Sequence, residues 1–210
     1  MAQVAPDSTE TRGLLERIGR QDRSALERLL HRFRPGLHDF VDSHLDPRVR
    51  QRVDPSDVVQ ETQLEVVRRM DDFLRRRPMP FRLWVRKMAY EHLLRVRRNH
   101  RLRARRSVDR EVAWPDRSSL LLARPLVGRG PSPSEQLQAR EFAGRISAAV
   151  GRLAEADREI LLLRHADELP YDEISVLLDI EPAAARKRYG RALIRLQKIL
   201  TDHGLLEESS

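Results

Sequence analysis

Apolar residues along this 210-residue chain recur at intervals of three and four, the period of a helix with one buried side. Leu26, Leu29, Leu30, Phe33, Leu37 and Phe40 form one such stripe, which continues past the interruption at Pro35-Gly36. A shorter helix from Thr11 to Ile18 precedes it, and Asp22 or Ser24 stands where the second helix needs a cap. The next helix is predicted from Asp54 to about Leu74. Asp54 can cap orphan amides, Pro55 suits the first helical position, and Asp57 suits the positive helix end. Val58, Val59, Val66, Val67, Met70 and Phe73 are predicted on its buried side. After an Arg/Pro bend, Phe81, Trp84, Val85, Met88, Ala89, Leu93 and Val96 mark a further amphipathic helix.

Helical periodicity fades after Arg106 and resumes at Glu135, where Leu137, Phe142, Ile146 and Val150 share a side. Asp157 is expected to cap a helix carrying Ile160, Leu161 and Leu163. Tyr171 to Leu178 forms the next helix, with a break at Asp179-Ile180. A final helix opens at Glu181-Pro182 with Ala185, Tyr189, Ala192, Leu193, Leu196, Ile199 and Leu200 as its buried stripe. Two short helices across a tight turn, the second Pro-started and basic, spell a helix-turn-helix; an amphipathic hairpin in a bundle is the alternative. The fold expected is all-α, in two small helical domains over residues 11–106 and 135–202. Residues 107–134, with Pro115, Pro125, Pro131 and Pro133, form a flexible linker, although Trp114 and Leu120 to Leu122 are suited to docking.

Composition supports two small domains over one large one, since aromatics make up 5% of the chain and charged residues 34%. The net charge of +8 points to a polyanionic partner. Only Lys87, Lys187 and Lys198 among the 40 basic residues are lysines, a bias that a GC-rich genome also produces, so clustering says more than the total. The densest cluster is Arg95, Arg97, Arg98, Arg101, Arg103, Arg105 and Arg106 with Asn99 and His100. It reads as a nucleic-acid contact or as a self-repelling helix tail.

Candidate chemistry falls on three surfaces. On the Asp54 helix, Asp57, Gln60, Glu61 and Glu65 face away from the apolar side, as a binding surface or an ordinary solvated face. On the following helix, Arg82, Arg86, Lys87, Arg95, Arg97 and Arg98 can track phosphates. Trp84 and Tyr90 can stack on unpaired bases, at roughly 1–3 kcal/mol per base, or Trp84 and Phe81 are core aromatics. In the last helix, Ala183, Ala184, Arg186, Lys187, Arg188 and Arg191 lie where a recognition helix meets the major groove.

The string DxxQET, here Asp57, Gln60, Glu61 and Thr62, followed by FRxW, here Phe81, Arg82 and Trp84, resembles region 2 of bacterial RNA polymerase sigma factors, in particular the small extracytoplasmic-function (ECF) group of the sigma-70 family. A second likeness, to sigma region 4, lies in Leu153, Arg158, Glu159, Leu162, Leu163, Tyr171, Glu173, Ile174, Leu178, Ile180, Arg188, Arg191, Ala192 and Leu196. Together they span roughly residues 12–106 and 135–200, in the order the family has. The resemblance implies that Asp57, Gln60, Glu61 and Leu64 bind core polymerase, whose β′ and β subunits become partners. It also implies that the basic aromatic helix opens and reads the minus-ten element of promoter DNA, that the last helix reads the minus-thirty-five element, and that the linker threads toward the RNA exit path. An anti-sigma protein is left open as a further partner. The chain departs from the family at Glu91 and Arg95, where Asn and Asp are usual, and at Glu181, where Ser or Thr commonly caps, so the promoter sequence is not carried over.

Several classes are excluded. The chain has no cysteine, which removes disulfides, Cys-ligated zinc and thiol catalysis. No phosphate loop, HExxH or GxSxG string occurs, so an enzyme is not expected, nor a cofactor. His38 and Asp42 are four apart, near His31, His44 and Asp39. No closing third and fourth ligand follows at a recognisable spacing, so no metal is expected and solvated surface is the default. No apolar run approaches the roughly 20 residues of a membrane span, and the N-terminus lacks the basic and apolar parts of a signal peptide. A cytoplasmic protein without membrane insertion is expected. The rival to a sigma factor is a helix-turn-helix regulator that does not engage core polymerase.

Overall fold

The computed structural model describes residues 4–45, 47–104, 144–146 and 148–204. The regular secondary structure among them is helical: α1 (Thr9–Gly19), α2 (Arg23–His44), α3 (Pro47–Arg50), α4 (Pro55–Arg76), α5 (Phe81–Ala104), α6 (Glu155–His165), α7 (Tyr171–Leu178) and α8 (Pro182–Asp202). Residues 144–146 and 148–150 are helical too. These elements form two compact units, one carrying α1, α2, α4 and α5, the other α6 to α8. The proposed linker lies outside the described residues.

In the first unit α2 packs against α1, α4 and α5, and α4 lies along α5. Leu29, Phe40, Val41, Val66, Phe81, Leu83 and Leu93 are buried between them, each full burial being favourable by roughly 1.5–3 kcal/mol. Phe81 is the aromatic hub, its ring edge-on to Phe33 at 5.2 Å and to Phe73 at 5.4 Å. The helix starts follow from local chemistry. Ser8 caps α1 by accepting from the Thr11 amide at 3.2 Å, and Asp22 caps α2 through Ala25 at 3.2 Å. Asp54 caps α4 through Ser56 at 2.7 Å, with Pro55 at the first position. α5 differs. Pro80 precedes it, a residue with no side-chain acceptor, and the Phe81 and Arg82 amides donate instead to the two carboxylate oxygens of Asp7, at 2.6 and 3.2 Å.

Two expectations change here. Pro35 does not interrupt α2, which is one continuous 22-residue helix. An interior proline costs a helix about 3 kcal/mol, but Leu29, Leu37, Phe40 and Val41 are buried on both sides of it and hold the two halves in line. The end of α2 is also not solvated surface. Asp42, Ser43 and His44 are buried; Arg50 donates to the Asp42 carboxylate and, at 2.8 Å, to its carbonyl, and the His44 ring lies 4.5 Å from that of Phe40.

In the second unit α8 packs against α6 and α7 around Ile160, Leu161, Leu163, Ile174, Leu177, Ala185 and Ala192, with Ile146 and Val150 also buried. Ala154, not Asp157, occupies the cap position of α6. Asp157 lies in the first turn, buried, and accepts from Arg195 of α8 at 2.5 Å. Its carboxylate thus serves both the positive helix end and a tertiary pair, which sequence spacing alone does not reveal. α7 ends at Asp179 in the left-handed conformation, φ 52°, and the Ile180 amide returns to the Ser175 carbonyl at 3.0 Å. Asp takes this conformation more readily than most residues, so the turn into α8 forms without glycine.

Candidate functional site

The first candidate surface is the outer face of α4. With 100° per residue, the buried line Val59, Thr62, Val66, Met70 and Phe73 leaves Asp57, Gln60, Glu61 and Leu64 opposite, and all four are exposed. Leu64 is 56% exposed and Val67 43%. Val67 was expected inside, but it follows Leu64 by three positions and sits on the outer side with it. Glu65 is engaged within the helix, with Arg69 at 2.5 Å and Arg68 at 3.6 Å. Glu61 reaches across to α5 and meets His92 Nε2 at 2.6 Å. Burial pushes the His92 ring below its ordinary pKa, against the opposing pull of Glu61, and Arg95 adds to the lowering. The contact is therefore a hydrogen bond from neutral His92 to the Glu61 carboxylate near pH 7.

A groove of about 680 Å³ runs between α4 and α5. Asp57, Glu61 and Leu64 line one side, and His92, Arg95 and Asn99 line the other. The structure thus brings an α5 residue expected at DNA beside three α4 residues expected at a protein partner.

The second surface belongs to α5. Arg82, Arg86 and Lys87 are half-buried and Arg95 and Arg98 exposed. Arg86 lies over the Phe40 ring at 5.9 Å, and Arg82 donates to the Ala5 carbonyl at 3.0 Å. Trp84 is half-buried and stacked on Phe73, with ring centroids 4.5 Å apart and planes 30° from parallel. One side of its ring system is therefore already occupied by the core. Tyr90 and Arg97, expected among the DNA contacts, are buried at 5% and 9% exposure. Arg97 donates to the His44 carbonyl, and Tyr90 stands edge-on to the His44 ring at 6.4 Å. The reason is that α5 packs against both α2 and α4, so its buried side is wider than one stripe and takes in Leu83, Tyr90 and Arg97.

The third surface is the start of α8. Ala183, Ala184, Arg186, Lys187 and Arg191 are exposed and Arg188 is half-buried, while Ala185 is buried against the unit. Leu193, expected inside, is 38% exposed. An aromatic cluster that the sequence did not single out supports this surface. The Arg186 guanidinium lies 5.7 Å from the Tyr171 ring centroid and that of Arg164 lies 5.1 Å away. Tyr171 is edge-on to Tyr189 at 5.8 Å, and the Tyr189 hydroxyl meets His165 Nε2 at 2.9 Å. Desolvation raises the Tyr189 pKa and lowers that of His165, which favours a neutral pair with Tyr189 donating. A Tyr flanked by Arg at positions seven before and fifteen after it was the available signal, legible only once the turn geometry is known. At Gly190 an added Cβ would meet nothing within 4 Å, so no close approach within the unit requires that glycine.

Among the described residues, no group of three or more His, Asp or Glu is placed to hold a metal, and no helix is long and apolar enough to cross a membrane.

The α7–α8 corner with the exposed basic start of α8 defines a class of module, a DNA-binding helix-turn-helix. The sequence pattern described as "Sigma-70, region 4" matches residues 143–196. The RNA polymerase sigma factor CnrH of Cupriavidus metallidurans is 27% identical over 147 residues, which is 70% of this chain and 73% of that protein. Among solved structures, CnrH in complex with the cytosolic domain of CnrY aligns with a TM-score of 0.58 at 21% identity, covering 92% of this chain and 99% of that one. The sigma factor RpoE in complex with the anti-sigma factor NepR, from Bartonella quintana, aligns at 0.57 and 18% identity, over 83% and 96%. The chain is thus similar over most of its length to a sigma factor, and its residues 143–196 match region 4 of the sigma-70 family.

Proposed function

We propose that this chain is a sigma factor of the ECF type that docks on core RNA polymerase through Asp57, Gln60, Glu61 and Leu64 of α4, chiefly on the β′ subunit, and contacts the β subunit as well. In this reading the outer side of α5, with Arg82, Trp84, Arg86, Lys87, Arg95 and Arg98, captures the opened minus-ten element. The start of α8, with Ala183, Ala184, Arg186, Lys187, Arg188 and Arg191, reads the minus-thirty-five element as duplex. Melting is driven by tighter binding to the opened strand than to duplex, with no nucleotide consumed. Tyr90 and Arg97 serve the interior of the first unit and stand outside the contact surface.

One observation carries the proposal: Asp57, Glu61 and Leu64 of α4 and Arg95 of α5 flank a common groove. A protein that only gripped duplex through α8 has no use for that pairing. The domain division at residues 11–106, 107–134 and 135–202 belongs to the same proposal, as does action in the cytoplasm, where polymerase and promoter are. An anti-sigma protein is a third proposed partner, by analogy with the complexes named for CnrH and RpoE.

The test is in vitro transcription with purified core polymerase on promoter-enriched fragments. Run-off products that require this protein are expected, and Glu61→Lys is expected to abolish them by weakening core binding. Tight binding to duplex without association with core polymerase would overturn the proposal.

A further inference from the structure

The start of α5 is held from outside its own sequence neighbourhood. Every helix N-terminus leaves amides without an intrahelical partner, and in α1, α2 and α4 an adjacent Ser or Asp accepts from one of them. At α5 the adjacent residue is Pro80, whose carbonyl accepts from Leu83 and Trp84 at 3.1 and 3.0 Å but whose side chain accepts nothing. Asp7, 74 positions earlier, supplies the missing acceptor for Phe81 and Arg82, and its negative charge suits the positive helix end. Two residues before it, the Ala5 carbonyl accepts from the Arg82 guanidinium. Ser8, next to Asp7, caps α1, and α1 is packed on α2, so the position of Asp7 is fixed by the core and not by a loose end.

We propose that Asp7 is a positioning residue for promoter opening. By capping α5 from a distant part of the chain, while Ala5 restrains Arg82, the segment around Asp7 sets the first turn of α5 and with it the aim of Arg82 and Trp84. This rests on the role proposed above for α5. Without Asp7 the first turn frays, because Pro80 offers no substitute. Arg82 and Trp84 lose their geometry, while Arg95 and Arg98, four turns further on, keep theirs.

The experiment uses the full chain reconstituted with core polymerase. It compares wild type with Asp7→Ala, Asp7→Asn and the double variant Asp7→Ala/Pro80→Asp, which returns a carboxylate to the local cap position. Binding is measured to a forked fragment with an unpaired minus-ten strand, to a duplex carrying only the minus-thirty-five element, and to core polymerase. Exchange of the Phe81 and Arg82 amides is followed in the free chain.

Asp7→Ala is expected to weaken forked-fragment binding about fivefold, the effect of losing a helix cap. Core and duplex affinities are expected to stay within about twofold, and Pro80→Asp to restore forked-fragment binding. Asp7→Asn, which keeps an acceptor but loses the charge, falls between. Unchanged forked-fragment binding in Asp7→Ala would overturn the inference, and so would a parallel fall in core binding that Pro80→Asp does not restore. Equal exchange at Phe81 and Arg82 in wild type and Asp7→Ala would overturn the cap itself. If wild-type holoenzyme does not prefer the forked fragment, the assigned role of α5 fails and the positioning role falls with it, even where exchange still registers the cap.

Discussion

α5 and α8 are both Arg-rich helices assigned to promoter contact, yet they are built into their units differently. α5 is gripped over its first half: Phe81, Leu83, Val85, Met88, Ala89, Tyr90 and Leu93 are all buried, and Trp84 stacks on Phe73. α8 buries only Ala185, Ala192 and Leu200, and the basic residues at its start stand clear of the core. The difference teaches that a contact residue of α5 is also part of the fold, whereas a contact residue of α8 is close to pure surface. Substitution in the first should change stability and binding together; in the second it should change binding alone.

The largest test of that contrast is Trp84→Ala. Losing the stacked indole is expected to destabilise the first unit by about 3 kcal/mol, read as a lower urea midpoint, together with less permanganate-reactive open complex. A variant with full stability and reduced opening would separate the two roles and break the contrast. Arg186→Ala is expected to leave the unfolding of the second unit within about 0.5 kcal/mol. It should weaken binding to a minus-thirty-five duplex by about 1–3 kcal/mol, measured by titration. A drop in stability comparable to that of Trp84→Ala would show that the stack on Tyr171 matters more than the DNA contact.

Gly190→Ala sharpens the picture of α8. The site is open, so the helix gains about 1 kcal/mol from the better helix former, seen as a higher melting temperature with unchanged duplex affinity. Loss of affinity alongside the gain would locate DNA backbone at that glycine.

The smallest expected effect concerns acid. Hydrogen bonds from Ser24 and then Arg17 bring the Asp22 pKa down to about 2. A carboxylate with a lowered folded value stabilises fully above its unfolded value near 4 and loses that contribution as pH falls toward 2. Asp22→Asn should therefore flatten the acid side of the stability profile between about pH 4 and 2, measured by urea unfolding at each pH. An unchanged profile would remove Asp22 from the account.

Much of this was legible from local pattern. The Asp54-Pro55 start, the Tyr171–Leu178 helix and the Glu181-Pro182 opening depend on neighbours within a few residues, and each appears where apolar spacing puts it, with a proline at the first turn of the first and the last. The α4 residues Asp57, Gln60, Glu61 and Leu64 are exposed for the same reason, since one helical period decides their side. The misreadings involve partners remote in sequence. Tyr90 and Arg97 are inside because two other helices cover α5. Asp157 is buried because Arg195, 38 positions away, takes its carboxylate. Val67 and Leu193 lie outside because an apolar residue at the margin of a stripe gives no sign of how far its neighbour helix reaches.

The corner between α7 and α8 has a consequence for variation. Because residue 179 holds a left-handed backbone, it tolerates few replacements: glycine fits without strain, asparagine nearly as well, and a branched side chain tilts the last helix away from its seat. The specificity proposed for the exposed start of α8 is thus free to drift through Ala183, Ala184, Arg186 and Lys187, while one neighbouring position stays narrowly constrained and keeps whatever they present pointing the same way.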